Sequence, residues 1–218
     1  MFKGKKILVT AGPTWAAVDR VRVMTSIFSG ETGLRFARHF NDLGAQVTLL
    51  MGPGRAKYHK EDWSEMNIRQ FFYYDELSEL LEEELDENSY DFVIHSAAVS
   101  DYKTDQSYTG KTPSGLNDFS IQLTPTAKLV DRIREKSPST FLIKFKLQVG
   151  LSPEELYEIA LSSLKTTGAD LIVANDLDTM EGDNHVAYII DPQGKSRKVL
   201  TKEEMCLGLE EEIKRILE

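Results

Sequence analysis

Five short runs constrain this chain most: KKILVTAG, AQVTLLMG, DFVIHSAAV, TFLIKFKL and ADLIVAND. Each is apolar with almost no alternation, the pattern of a strand covered on both faces. Between them apolar residues recur at helical spacing. GLRFARHFNDLG sets Leu34, Ala37, Phe40 and Leu43 near one face and ends at Gly44. DELSELLEEELDE does the same with Leu77, Leu80, Leu81 and Leu85, leaving its acidic residues to solvent. SPEELYEIALSSLKTTG carries a full set of end signals: Ser152 as N-cap, Pro153 in the first turn, Glu155 closing a capping box, Gly168 past the end. Strands alternating with helices require parallel crossover units. The chain is thus predicted to be an α/β protein, a three-layer Rossmann-like domain with a mostly parallel central sheet. IRQFFYY is a weaker strand candidate. HVAYIIDPQGKSRKVL reads as a C-terminal β-hairpin turning at Asp191 to Gly194, and TKEEMCLGLEEEIKRILE as a closing amphipathic helix. With no internal repeat or low-complexity linker, residues 1–218 are read as one domain.

Composition removes several classes. A net charge of -9 argues against a general nucleic-acid surface. The single Cys206 forms no internal disulfide and reads as a packing residue in the last helix. Four scattered His, with no metal-ligand spacing, leave the metal ligands unknown. MFKGKK runs directly into the first strand, so no signal peptide and no membrane-spanning run are expected. A cytoplasmic protein is the expectation.

Open parallel sheets bind ligands outside the carboxyl ends of their strands. Those ends here read AGPT, MGPG, SAAVSD and AND. Beyond the first lies VRVMTSIFSGETG, which opens the first helix. Ser29, Gly30 and Gly33 sit where free backbone N–H groups and the helix dipole favour phosphate. Spacing alone equally allows Gly30 and Gly33 to serve close helix–sheet packing. Neither GxGxxG nor GxxxxGK[ST] is present. Arg20 and Arg22 suit phosphate or carboxylate, or are solvated loop residues. Asp101 reads as a Mg²⁺ ligand, a hydrogen-bond acceptor for substrate, or a turn former. The polar stretch DYKTDQSYTGKTPSGLN suggests a lid at about residues 101–118, with Lys111 placed to descend on a triphosphate or simply exposed. Asn175 and Asp176 could read a base edge or ribose, or form a plain turn.

The ordered set ILVTAGPT, VR, SGxxG, SAAVSDY, GK, LTP, FKL and VAND resembles phosphopantothenate–cysteine ligase, the second half of bifunctional coenzyme A enzymes. FKL and GKTPSG look more like the stand-alone form, and no flavin is expected. The resemblance implies that a nucleoside triphosphate, CTP or ATP with Mg²⁺, activates the carboxylate of 4′-phosphopantothenate as an acyl-nucleotidylate. Cysteine's amine then displaces the nucleotide. It further implies that Gly12, Ser29, Gly30, Gly33, Phe145 and Asn175 hold nucleotide, and that Ala97, Ala98 and Asp101 contact phosphopantothenate. Lys111 would neutralise charge during activation. Arg22 would reach the substrate of a neighbouring subunit in a homodimer. Three positions depart from the family's pattern. Ser26 stands for an asparagine that assists turnover, Phe28 for a hydroxyl residue, and Pro13 for a glycine with an N–H to donate. A diverged paralogue that binds nucleotide or a pantetheine-like ligand without ligation is the alternative. A dinucleotide reductase is disfavoured for want of its glycine signature.

Overall fold

The computed structural model describes residues 1–104, 110–115, 118–181 and 184–217. The chain begins with β1 (Lys6–Ala11), then the short β2 (Trp15–Ala17) and β3 (Val23–Thr25), and α1 (Glu31–Asp42). It continues through β4 (Gln46–Met51), α2 (Lys60–Glu65), β5 (Asn67–Gln70) and α3 (Tyr74–Glu87). Next come β6 (Phe92–His95), β7 (Tyr102–Thr104), β8 (Leu123–Pro125), α4 (Leu129–Lys136), β9 (Phe141–Gln148) and α5 (Pro153–Thr167). The last elements are β10 (Leu171–Glu181), β11 (Asn184–Ile190), β12 (Ser196–Thr201) and α6 (Lys202–Leu217).

The main sheet has eight strands in the order β12-β11-β10-β9-β6-β1-β4-β5. From β10 to β5 every pairing is parallel, and β11 and β12 add an antiparallel hairpin. The predicted parallel sheet and C-terminal hairpin are both present. The direction in which successive strands are added reverses about β1, which pairs β4 on one side and β6 on the other. That position is a topological switch point.

Side chains of alternating parity feed two cores. Ile7, Val9, Ile94, Ile143 and Val173 pack with Leu34, Phe36 and Phe40 of α1 and with Met205, Leu209 and Ile213 of α6. Leu8, Val93, Leu142 and Ile172 pack with Leu77 and Leu81 of α3, Ile133 of α4, and Leu156, Ala160 and Leu164 of α5. Each side chain so buried contributes about 1.5–3 kcal/mol, which is why the five apolar runs had to be interior strands.

α5 forms as its end signals require. Ser152 Oγ accepts from the Glu155 N–H at 3.2 Å, Glu155 accepts from the Ser152 N–H at 3.0 Å, and Gly168 closes the helix at φ 61°. The hairpin turn is built on Asp191, whose Oδ1 accepts from the N–H groups of Gln193 and Lys195. Arg215 of α6 donates to Asp191 Oδ2 and to Glu212, and Glu212 also accepts from Arg197 of β12, so the last helix is fastened to the hairpin. Cys206 is buried, which pushes its thiol up to about 12 and fits a packing role.

Four short strands and two short helices lie where no regular element is predicted. β2 pairs β3 and β7 pairs β8 in separate two-stranded ribbons above the sheet's carboxyl edge. Residues 105–109 and 116–117 of the predicted lid lie outside the described residues. Among the described residues no helix is long and apolar enough to cross a membrane.

A polar row crosses the second core just below the carboxyl edge. Thr10, His95 and Lys144 are register neighbours on β1, β6 and β9, and all three are buried. His95 Nδ1 shares a 2.9 Å hydrogen bond with Thr10 Oγ1, and Lys144 Nζ donates to Ser163 and Thr167 of α5. Burial, aided by the charge of Lys144, lowers His95 from 6.5 to about 4. The unfolded chain therefore takes up this proton before the folded one does, and stability falls as pH drops from 6.5 towards 4. From about pH 7 to 5 the His95 share of that loss is about 2 kcal/mol. His95→Asn, which keeps a polar partner for Thr10, should flatten this part of the curve in urea titrations; an unchanged slope would assign the acid sensitivity elsewhere.

Candidate active site

The loops leaving β1 and β6 stay joined beyond their strands. Ser96 N–H and Oγ both donate to Thr10 O, at 3.1 and 2.7 Å, and Ala98 N–H donates to Gly12 O at 2.9 Å. Thr14 N–H returns to Ala98 O at 3.3 Å, and Pro13 forms a parallel bridge with Ala98. The switch point is thus roofed by AGPT and SAAVS, with Gly12, Ala97 and Ala98 in the roof.

The entrance of α1 presses on this roof. Gly30, its N-cap, has φ 83°, a left-handed backbone that L side chains rarely adopt. A Cβ there would fall 2.5 Å from Met51 Cε and 3.0 Å from Gly12 Cα. Gly30 offers no capping side chain, so the first-turn amides are not all answered from within the helix. Ser29 Oγ accepts from the Glu31 N–H at 3.3 Å, and the Glu31 carboxylate is drawn off by Arg35 at 2.9 Å. What remains is a helix N-terminus whose positive end suits an anion, with Gly30 itself packed against Met51 and Gly12. Gly33 is different. Its Cβ would meet Ala11 Cβ at 2.4 Å and Ser96 Oγ at 2.5 Å, so it serves close packing of α1 on β1 and β6. Gly52 and Gly54 of MGPG, unremarked in the sequence, do comparable work: a Cβ would fall 2.3 Å from Pro13 O and 2.1 Å from Ser29 O respectively.

The other predicted site residues divide between the two faces of the sheet. On the α1 face, Phe145 packs edge-on against Phe36 with ring centres 5.6 Å apart. Two positions along β10 on that same face is Asn175, buried, with Nδ2 3.2 Å from Met180 Sδ at an irregularity in the β10–β11 ladder. Asp176 is committed to structure, accepting from the N–H groups of Gly150, Leu151 and Asp178. On the α4 side, Ala97 packs against the second core. Asp101 lies six residues past the end of β6 rather than at it. Its side chain is 65% exposed and pairs with Lys128 at 2.5 Å, while its carbonyl accepts from the Thr126 N–H. Among the described residues no group of three His, Cys, Asp or Glu is gathered to hold a metal ion.

The β2–β3 arm carries Arg22 and Ser26. Arg22 is forked onto Asp19, donating through Nε at 3.0 Å and also through Nη2, and lies 5.8 Å from the Phe119 ring centre. Ser26 Oγ is buried and, among the described residues, has no hydrogen-bond partner. Lys111 is exposed. Asp19 was missed by sequence reasoning; its spacing three residues before Arg22 was the available signal.

A doubly wound sheet in the strand order of dinucleotide folds, with an uncapped helix entrance over its switch point, places the chain among three-layer α/β proteins with a ligand edge. A family model described as the DNA/pantothenate metabolism flavoprotein C-terminal domain matches residues 2–217, and the chain belongs to that family. It is 34% identical over 217 residues to the coenzyme A biosynthesis bifunctional protein CoaBC of Thermococcus kodakarensis, covering 99% of this chain and 52% of that protein. The chain spans about half the length of the curated relatives it matches. A DNA/pantothenate metabolism flavoprotein from Streptococcus pneumoniae superposes with a TM-score of 0.86 at 30% identity, covering 98% of this chain and all of that one. The C-terminal domain of a CoaBC protein gives a TM-score of 0.79 at 27% identity, with 99% and 97% covered.

The crowding at Gly30 yields a stability test. Gly4 has a similar φ of 77° but open space around it. Gly4→Ala should therefore lose about 1 kcal/mol from backbone strain alone, and Gly30→Ala at least about 2 kcal/mol, because Met51 and the Gly12 backbone must also move. Equal losses in chemical denaturation would show that the roof yields freely. Any larger side chain at Gly30, such as Asp, thus perturbs folding.

Proposed function

We propose that this chain is a phosphopantothenate–cysteine ligase, acting in the cytoplasm as a homodimer of single ligase-like domains. The observation that carries the reading is the uncapped, left-handed entrance of α1, pressed on Gly12 at the switch point of a chain in this family. The Thermococcus relative's description as a coenzyme A biosynthesis protein supports the same chemistry.

In the first step a carboxylate oxygen of 4′-phosphopantothenate attacks the α-phosphorus of CTP or ATP. The bond to the β-phosphate oxygen breaks and pyrophosphate leaves. In the second step cysteine's amine attacks the acyl carbon, nucleoside monophosphate departs, and the amine's proton goes to solvent. Gly12, Ser29 and Gly30 take the phosphates, Gly33 holds α1 close enough to do so, and Phe145 and Asn175 face the rest of the nucleotide. Ala97, Ala98 and Asp101 take phosphopantothenate on the opposite side, with Lys128 beside Asp101 balancing its charge. Lys111 neutralises charge as pyrophosphate forms. Bound Mg²⁺ would supply charge screening for the phosphates at Gly12, Ser29 and Gly30. Arg22 completes the neighbouring subunit's site. Exposed Val21 and Ile27 on the same arm, 64% and 74% accessible, support a second copy as the arm's cover.

Pyrophosphate release with 4′-phosphopantothenate and either nucleotide, with and without cysteine, tests this. Release should precede amide formation. Triphosphate binding without release would favour the non-catalytic paralogue. Lys111→Gln should slow release roughly 100-fold while leaving triphosphate affinity nearly intact; full activity would make Lys111 a bystander. The Ser26 hydroxyl, buried and without a partner among the described residues, is shorter than the asparagine it replaces in the family's pattern, so acyl-nucleotidylate should accumulate in the wild type. Ser26→Asn should speed amide formation more than pyrophosphate release. Rapid amide formation with no accumulated intermediate would refute this.

A further inference from the structure

Asp19 has no part in the chemistry above, yet its carboxylate is completely buried. Oδ1 accepts from the N–H groups of Val21 and Arg22, both at 2.9 Å, and these bonds close the turn of the arm. Oδ2 faces outward from that turn. It accepts from Arg22 Nε and Nη2 and, at 2.9 Å, from the backbone N–H of Thr112, 93 residues away. Two further bonds join the same segments. Arg22 Nη2 donates to Thr112 O at 3.3 Å, and Arg20 N–H donates to Gly110 O at 3.3 Å. Lys111 lies between these anchored residues. Its neighbour Thr112 is buried although Lys111 itself is exposed.

The arrangement is a backbone clamp. The N–H and C=O of Thr112 and the C=O of Gly110 are all held by residues 19–22 of the arm. With the main chain held on both sides, Lys111 keeps only its side-chain rotors. An ammonium group delivered from a fixed backbone spends more time where charge develops than one on a free loop. The Arg22 guanidinium, and after it the Thr112 N–H, hold the Asp19 carboxyl well below the usual carboxylate range. The clamp therefore stays ionised at every working pH.

We propose that Asp19 is a positioning residue for Lys111: through the Thr112 amide it fastens the Lys111 backbone to the arm that carries Arg22. The chemical consequence rests on the ligase reading; the anchoring does not. Asp19→Asn separates the two. An amide oriented to keep the turn bonds of Val21 and Arg22 turns its NH₂ towards Thr112 N–H and the Arg22 fork, so donor meets donor and the link to residue 112 is lost.

Amide hydrogen exchange on the whole chain reads the anchoring without any activity. Thr112 should exchange slowly in the wild type and roughly 10-fold faster or more in Asp19→Asn, with Val9 and Ile94 in the sheet unchanged. Unchanged exchange at Thr112 would overturn the proposal. Pyrophosphate release then reads the consequence by a double-mutant cycle. Asp19→Asn should slow release by up to roughly 100-fold in the wild-type background with triphosphate affinity preserved, and by little in a Lys111→Gln background. Equal losses in both backgrounds would overturn the link to Lys111, since Asp19 would then act on the fold at large. A protein with slow Thr112 exchange, lost on substitution, that releases no pyrophosphate would refute the ligase reading while supporting the anchoring. If Asp19→Asn does not fold, Thr112→Pro deletes the same donor from the other side and should give the same loss of release.

Discussion

The backbone pairing of β1 with β6 does not stop where the strands end. Thr10 O takes two donors from Ser96, Gly12 O takes the Ala98 N–H, and Thr14 answers Ala98 in turn. Thr10, Gly12 and Thr14 are buried, so their peptide groups would be costly to leave unpaired. The two loops therefore have to run together, and where they go the rest of the edge follows. Gly12 is held where Gly30 can lean on it, and Gly30 sets the angle at which α1 meets the sheet. MGPG packs beneath both because Gly52 and Gly54 have no Cβ to obstruct Pro13 and Ser29.

This roof divides the edge chemically. On the α1 side lie a helix N-terminus, Phe145 and Asn175: backbone donors, an aromatic edge and one amide. On the α4 side lie Ala97, Asp101 and Lys128, an apolar floor beside an exposed ion pair. A chain of net charge -9 can offer an anion site here because the relevant field is local. The Glu31 carboxylate is drawn to Arg35, and Asp19 is neutralised by Arg22, so neither carboxylate next to the α1 entrance or in the arm stands alone. The arm and the Lys111 segment are then one mechanical unit, joined by an arm carboxylate 93 residues from the amide it accepts from.

Much of this was legible in the sequence. The five apolar runs became β1, β4, β6, β9 and β10, since unbroken hydrophobicity leaves a strand only the interior of a covered sheet. α5 was readable to its last residue because Ser152 and Glu155 at its start, and Gly168 at its end, each act on the helix turn beside them. The hairpin at Asp191 was readable for the same reason. Local signals failed where the determining contact is remote. β2, β3, β7 and β8 are three-residue strands with no periodicity to detect, and they exist because they pair across loops. α4 buries only Leu129, Val130 and Ile133 and takes its place from the cores of α3 and α5.

The sequence by itself determined the layered parallel fold, its closing hairpin, and which strand ends would carry small residues, because hydrophobic period and turn chemistry are local properties. It left Gly30 and Gly33 as equivalent candidates for contact with an anion. Only the tertiary structure shows what surrounds each: a Cβ at Gly33 would meet Ala11 and Ser96 across the helix–sheet interface, whereas one at Gly30 would meet Met51 and the Gly12 backbone at the helix entrance. Tertiary structure alone likewise turned Asp19 from an unremarkable loop residue into a buried carboxylate, and moved Asp101 off the strand end into an exposed pair with Lys128. The reason is common to all three. Burial and hydrogen-bond partners are set by segments that meet only after the sheet has formed, and a linear chain carries no direct record of who those neighbours are.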